Sequence, residues 1–330
     1  MRILINRFLI AGLLVAASPI VGFASPAQSK LLPLIPPEAQ FVAGVEDPCN
    51  RDARGHLLLI TESSRFDFDD FLALTGVDTN RGVVETIWTA AARPQGEVAE
   101  HTLLVAGRFD RERIFQAAQQ NGATTSIYRG LAVLLLKPFA REEKQMHDTR
   151  WMAILDGRTV VFGTPWLVEK TLDRYVDHVP ADPLVSDRIG RLHPRVNAWS
   201  VLAMPQGLSL QNAELGGSTA PLIGLLGRSN LNGADELILG IRYGPKSRVD
   251  FVVRKLDDRD TSRGASRGDE AWQRHMFEAG SFERSSPQLE GLSIEQNLVQ
   301  GSIVIPGKQL DVCVLHASCG APVAILQRER

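Results

Sequence analysis

Short apolar runs broken by tight turn signals constrain this chain more than any other feature. Thr124 to Tyr128 and Leu131 to Leu136 flank Arg129-Gly130, and Trp151 to Leu155 and Thr159 to Phe162 flank Asp156-Gly157. A two-residue connection of the Asp-Gly type returns the chain on itself, so each pair of runs is expected to form a β-hairpin. Val83 to Ala92 and His101 to Arg108 read the same way around Arg93-Pro94-Gln95-Gly96, as do Glu236 to Tyr243 and Arg248 to Lys255 around Gly244-Pro245. Further strands are expected at His56 to Thr61, Val196 to Ala203, Leu289 to Gln296 and Ser302 to Ile305.

Helix signals fall between these runs. Asp110 is placed to cap a helix through Gln120 that stops at Asn121-Gly122. Thr164-Pro165 suits the start of another helix through Val176, with Thr as cap and Pro at the first helical position. Shorter helices are expected at Phe66 to Leu74, stopped by Gly76, at Ala220 to Leu226, and at Asp269 to Glu278, stopped by Gly280. Both halves then read strand, helix, strand, strand, helix, hairpin. Asn80-Arg81-Gly82 before Glu85 is echoed by Asn232-Gly233 before Glu236. The spacing of about 150 residues is too long for a solenoid and points to a duplicated domain. The expected fold class is α+β, with two similar strand-helix-strand-strand-helix halves and mainly antiparallel sheets. The expected domains are residues 41–180 and 181–330, after an extended, proline-containing lead-in at 25–40. The polar stretch 257–268 is expected to be an exposed loop.

Tyr128-Arg129-Gly130, the run from Ala153 to Gly163 (AILDGRTVVFG) and the segment Val168 to Arg174 resemble uncharacterised bacterial exported families with a repeated α+β domain. The resemblance covers mainly residues 40–180. It implies an exported location and that fold, and no activity.

The amino terminus supports export independently. Arg2 and Arg7 precede the apolar run Phe8 to Ala17, and Gly22-Phe23-Ala24 places small residues before a cut after Ala24. This is the layout of a secretory signal peptide over residues 1–24. The run is shorter than the ~20 residues a spanning helix needs. The uncharged stretch from Phe8 to Ser29 leaves a retained inner-membrane signal-anchor as the alternative, although Pro19 would kink such a helix. No second long apolar stretch follows, so the mature chain is expected to have no transmembrane span and to be periplasmic or extracellular. Removing Arg2 and Arg7 would take the formal net charge from −2 to −4. That balance argues against a nucleic-acid partner and leaves an unknown protein or envelope partner.

The sequence supplies no nucleotide loop, no G-x-S-x-G elbow and no H-E-x-x-H helix, so no catalytic, cofactor-binding or metal-binding residue is assigned and no cofactor is expected. Asp67, Asp69 and Asp70 fail the calcium-loop pattern, because Leu72 stands where glycine is needed. Cys313 and Cys319 form a possible disulfide in an oxidising compartment, with pairing of either one to Cys49 left open. With His316 between them they could alternatively hold zinc or copper. The seven histidines are scattered (His56, His101, His147, His178, His193, His275 and His316), with no ligand spacing between any two. The tryptophans read mostly as core, with ligand stacking open for Trp151 or Trp166. The expected function is an exported, non-catalytic binding or envelope-associated protein of unknown ligand. The alternative is an exported hydrolase whose site is assembled from distant residues, which leaves no local trace.

Overall fold

The computed structural model of the chain describes residues 26–46, 71, 74–76, 83–92, 99–136, 149–204, 234–255, 288–295 and 297–306. In chain order the strands are β1 (Phe41–Glu46), β2 (Val83–Ala92), β3 (Ala99–Gly107), β4 (Thr124–Tyr128), β5 (Leu131–Leu136), β6 (Arg150–Ile154), β7 (Thr159–Gly163), β8 (Ala198–Ala203), β9 (Ala234–Arg242), β10 (Lys246–Lys255), β11 (Gln288–Glu295) and β12 (Leu298–Pro306). They join in one twelve-stranded sheet, ordered β11-β12-β10-β9-β8-β1-β2-β3-β7-β6-β5-β4. The pairings within it are antiparallel.

This corrects the expected fold class. The chain is not α+β with strand-helix-strand-strand-helix halves; it is mostly a single antiparallel β-sheet. The physical reason lies in β1. A meander leaves open backbone donors and acceptors along its first strand. Here β1 pairs with β2 on one side and with β8 on the other, Val42 opposite Thr89 and Val201, so the first strands of the two meanders satisfy each other. The sheet therefore runs through the 180/181 boundary without a break.

The described helices do not alternate with strands. They are α1 (Arg111–Gln120), α2 (Pro165–Val176) and α3 (Pro183–Gly190). Side chains alternate across the sheet and divide the core into two layers. Phe41, Trp88, Leu103, Leu239 and Phe251 lie in one layer, which α1 covers with Ile114 and Ala118. Val42, Ile87, Leu104, Trp199 and Ile238 lie in the other, under Val168 and Leu172 of α2 and Val185 and Ile189 of α3.

Asp110 caps α1 as its sequence suggests, accepting from Arg113 N–H at 3.1 Å. Thr164 precedes α2 but makes no side-chain cap bond. Its hydroxyl instead donates to His101 O and accepts from His101 N–H, which fastens the start of α2 to β3.

Residues 25–40 are also corrected, from residue 26 onward. They are not an extended lead-in. They contain two 3-10 turns, Pro26–Gln28 and Leu32–Leu34, and Leu31, Leu32, Leu34 and Ile35 are buried in the α2/α3 layer. The prolines suggested an extended lead-in outside the core, but the four apolar side chains between them gain more from burial than an extended segment would allow. Arg174 of α2 holds the segment from above, donating to Pro33 O at 2.7 Å.

Two elements had no sequence expectation, β1 and α3. The expected helix at 66–74 is described only at Phe71 and Leu74; Thr75 is helical too, with its hydroxyl donating to Phe71 O. The residues of the expected leader (1–24), the expected strand at 56–61, the expected helices at 220–226 and 269–278, and the expected loop at 257–268 lie outside the described residues.

The two central strands are related by matched bonds. Glu46 N–H donates to Asn197 O and Ala203 N–H to Gln40 O; Gln40 N–H donates to Ala90 O and Asn197 N–H to Ile241 O. Aligned on these bonds, Pro26, Ser29 and Pro37 occupy the places of Pro183, Ser186 and Pro194.

Candidate functional site

At the last residue of β1, Glu46 stands directly opposite Glu85 of β2. Both point to the α2/α3 layer, since Val42 and Ile87 on the same strands lie in that layer. Two carboxylates facing each other across a strand pair repel when both are ionised. Burial, and then the charge of Glu85, push the Glu46 carboxyl up to about 7. Burial likewise raises Glu85, opposed by a hydrogen bond from the Ser29 hydroxyl, which favours the ionised form. Ser29 is itself held in place, because its Oγ accepts from Leu31 N–H at 3.1 Å. The pair thus holds its proton to a higher pH than isolated carboxylates would.

Glu236 of β9 occupies the matching place in the other meander, opposite Ala203 as Glu85 is opposite Glu46. Its surroundings differ. It is only 2% exposed, and Arg188 of α3 reaches it at 2.6 Å. Arg254 of β10 lies 3.4 Å from it and Arg191 lies 3.7 Å from it. Arg254 also forks onto Asp235 with two bonds of 3.2 Å, and Arg191 pairs with Asp187. Here fixed cations neutralise the buried carboxylate.

A second candidate surface is the pair of sheet edges. β4 ends the sheet on one side; it carries no charged residue or proline, and Thr124 to Ile127 are exposed, Ile127 at 67%. β11 ends it on the other side and is broken by a register shift between Glu290 and Ser293, with Gly291 at φ 58°. Glu290 is also tied to Arg248 at 3.2 Å. Bulges and charges of this kind block edge-to-edge pairing. Among the described residues, β11 therefore has that protection and β4 does not.

Cys49, Cys313, His316 and Cys319 lie outside the described residues, so the expected disulfide and its metal alternative do too, as do Asp67, Asp69 and Asp70. Of the histidines, three are described. His101 stacks on Trp88 with ring centroids 6.1 Å apart. His178 closes α2 at φ 51°, and His193 accepts from Arg195 N–H. They sit in β3, after α2 and ahead of β8. Trp151 packs edge-on against Tyr128, and Trp199 is core. Among the described residues no group of His, Cys, Asp and Glu has metal-binding geometry, and no helix is long and apolar enough to cross a membrane.

Sequence reasoning missed Glu46, Glu85 and Ser29 as a group. The one signal available was the echo of Asn80-Arg81-Gly82 and Asn232-Gly233, which leads into Glu85 and Glu236. No protein-family model, no curated protein and no solved structure matches the chain.

Proposed function

We propose that this is an exported, non-catalytic binding protein, periplasmic or extracellular, that receives an extended segment of a partner protein along β4. The observation that carries this reading is the difference between the two edges. An uncharged, exposed edge strand offers main-chain donors and acceptors for strand addition, with side-chain positions beside it to set specificity. The leader at residues 1–24 supports the exported location. We further infer that the central strands derive from an internal repeat of about 150 residues, supported by the matched bonds of β1 and β8.

The test is capture from an envelope extract by the mature protein. Wild type should retain a partner that the double variant Thr124→Lys with Ile127→Lys loses at least tenfold, with no change in thermal midpoint. Both positions are exposed, so the lysines guard the edge without entering the core. Equal capture by the variant would refute the edge as the binding surface.

One observation favours the second reading, an exported hydrolase. A carboxyl held near 7 opposite another carboxylate has the acid–base range that such chemistry uses. Turnover of an ester, peptide or glycoside by wild type, abolished in Glu46→Gln, would establish it over the binding reading.

A further inference from the structure

We propose that Glu46 and Glu85 form a proton-operated latch that keeps the segment Pro26–Ile35 seated on the centre of the sheet. The geometry has three parts. The two carboxylates are paired in register at the end of β1, the strand that joins both meanders. The Ser29 hydroxyl connects Glu85 to the N-terminal segment, and Leu31 N–H closes the turn onto Ser29. The segment's apolar side chains then form part of the α2/α3 layer.

The groups facing the pair come from each neighbouring element. β2 presents Glu85, the N-terminal turn presents the Ser29 hydroxyl, and the chain ahead of β8 presents the Asn197 carbonyl, which Glu46 N–H engages. Lys30 is exposed. The charged side chains of α3 and of Arg191 just after it are engaged elsewhere: Arg188 and Arg191 with Glu236, and Asp187 with Arg191. Among the described residues no lysine or arginine forms an ion pair with Glu46 or Glu85. When Glu46 loses its proton, no cation among the described residues offsets the second charge, and repulsion between the paired carboxylates strains the strand ends on which the segment rests.

The sign follows from the raised proton affinity of Glu46. Its contribution is full below the ordinary value of 4.5 and is lost as pH rises through about 7. The latch is closed in mildly acidic surroundings and loosens in mildly alkaline ones.

The experiment follows the wild-type protein and Glu46→Gln from pH 5 to pH 8.5. Carboxyl carbon NMR should place the Glu46 titration near neutrality. Amide exchange of residues 26–46, corrected for intrinsic rates, should speed up about tenfold or more above pH 7 in wild type, while β9 and β10 change little. Glu46→Gln should abolish that pH dependence and keep the segment protected at pH 8.5. A Glu46 carboxyl that titrates below pH 5, or a Glu46→Gln protein whose segment opens with the wild-type pH profile, would overturn the latch. The NMR titration needs no variant, so the proposal is decided even if the substitution prevents folding.

Discussion

Glu85 and Glu236 stand at matching places in the two meanders, each on the second strand and each beneath a segment that runs into the first strand. Around Glu236, three arginines, from α3, the residue just after it and β10, lie between 2.6 and 3.7 Å away. Around Glu85 there is a serine hydroxyl and a second carboxylate. Burying a carboxylate costs free energy that either a fixed cation or a proton offsets. The arginine solution works at any pH at which the carboxylate is ionised. The proton solution ties local stability to pH. The same strand position is thus permanently neutralised in one meander and conditionally neutralised in the other, and the difference lies in the neighbours supplied by other elements.

The comparison can be broken or sharpened by substitution. The largest effect is expected at the seam itself. Gly44 of β1 faces Trp199 of β8, whose indole occupies the space a Cβ would need. Val201 holds the matching place on β8, so Gly44→Val makes the two strands more alike in sequence while overpacking their junction. It should cost about 3 kcal/mol in urea unfolding. An unchanged midpoint would mean that the indole is free to move aside.

Arg188→Leu comes next. Removing the nearest cation from a buried carboxylate should cost about 2 kcal/mol at pH 7, with Arg191 and Arg254 limiting the loss. Arg188→Lys, which keeps a cation beside Glu236, should recover part of the loss. An equal loss in both variants would show that charge beside Glu236 is not what Arg188 contributes.

The smallest effect is expected from Ala203→Glu, which places a second carboxylate opposite Glu236 and copies the Glu46–Glu85 arrangement. With the arginines at hand it should cost less than about 1 kcal/mol, and the thermal midpoint should stay level between pH 5 and pH 8. If the variant instead lost stability on passing neutrality, the arginines would not be what separates the two sites.

Much of the local structure was legible. The hairpins at Arg129-Gly130 and Asp156-Gly157, the cap at Asp110 and the proline-started helix at 165 all depend on residues close together in the chain. β1 was missed because FVAGVE shows no polar alternation; apart from its terminal Glu46 it is buried throughout, as a central strand is. Pro26–Ile35 was misread because its prolines weigh toward a linker when only composition is considered. The candidate site was hardly legible at all, since Glu46, Glu85 and Ser29 are brought together by β-pairing and by the turn that covers it.

The sequence by itself determined where the chain turns and which runs extend, because turn geometry and side-chain alternation act over a few residues. It also set the echo of about 150 residues that places two glutamates in corresponding strands. Only the tertiary structure decided that the meanders share one sheet through β1 and β8, that the proline-rich start is core, and that one glutamate meets arginines while the other meets a carboxylate. Strand pairing over long separations and the proton affinity of a buried acid both depend on groups distant in the chain, and local sequence carries no record of which groups those are.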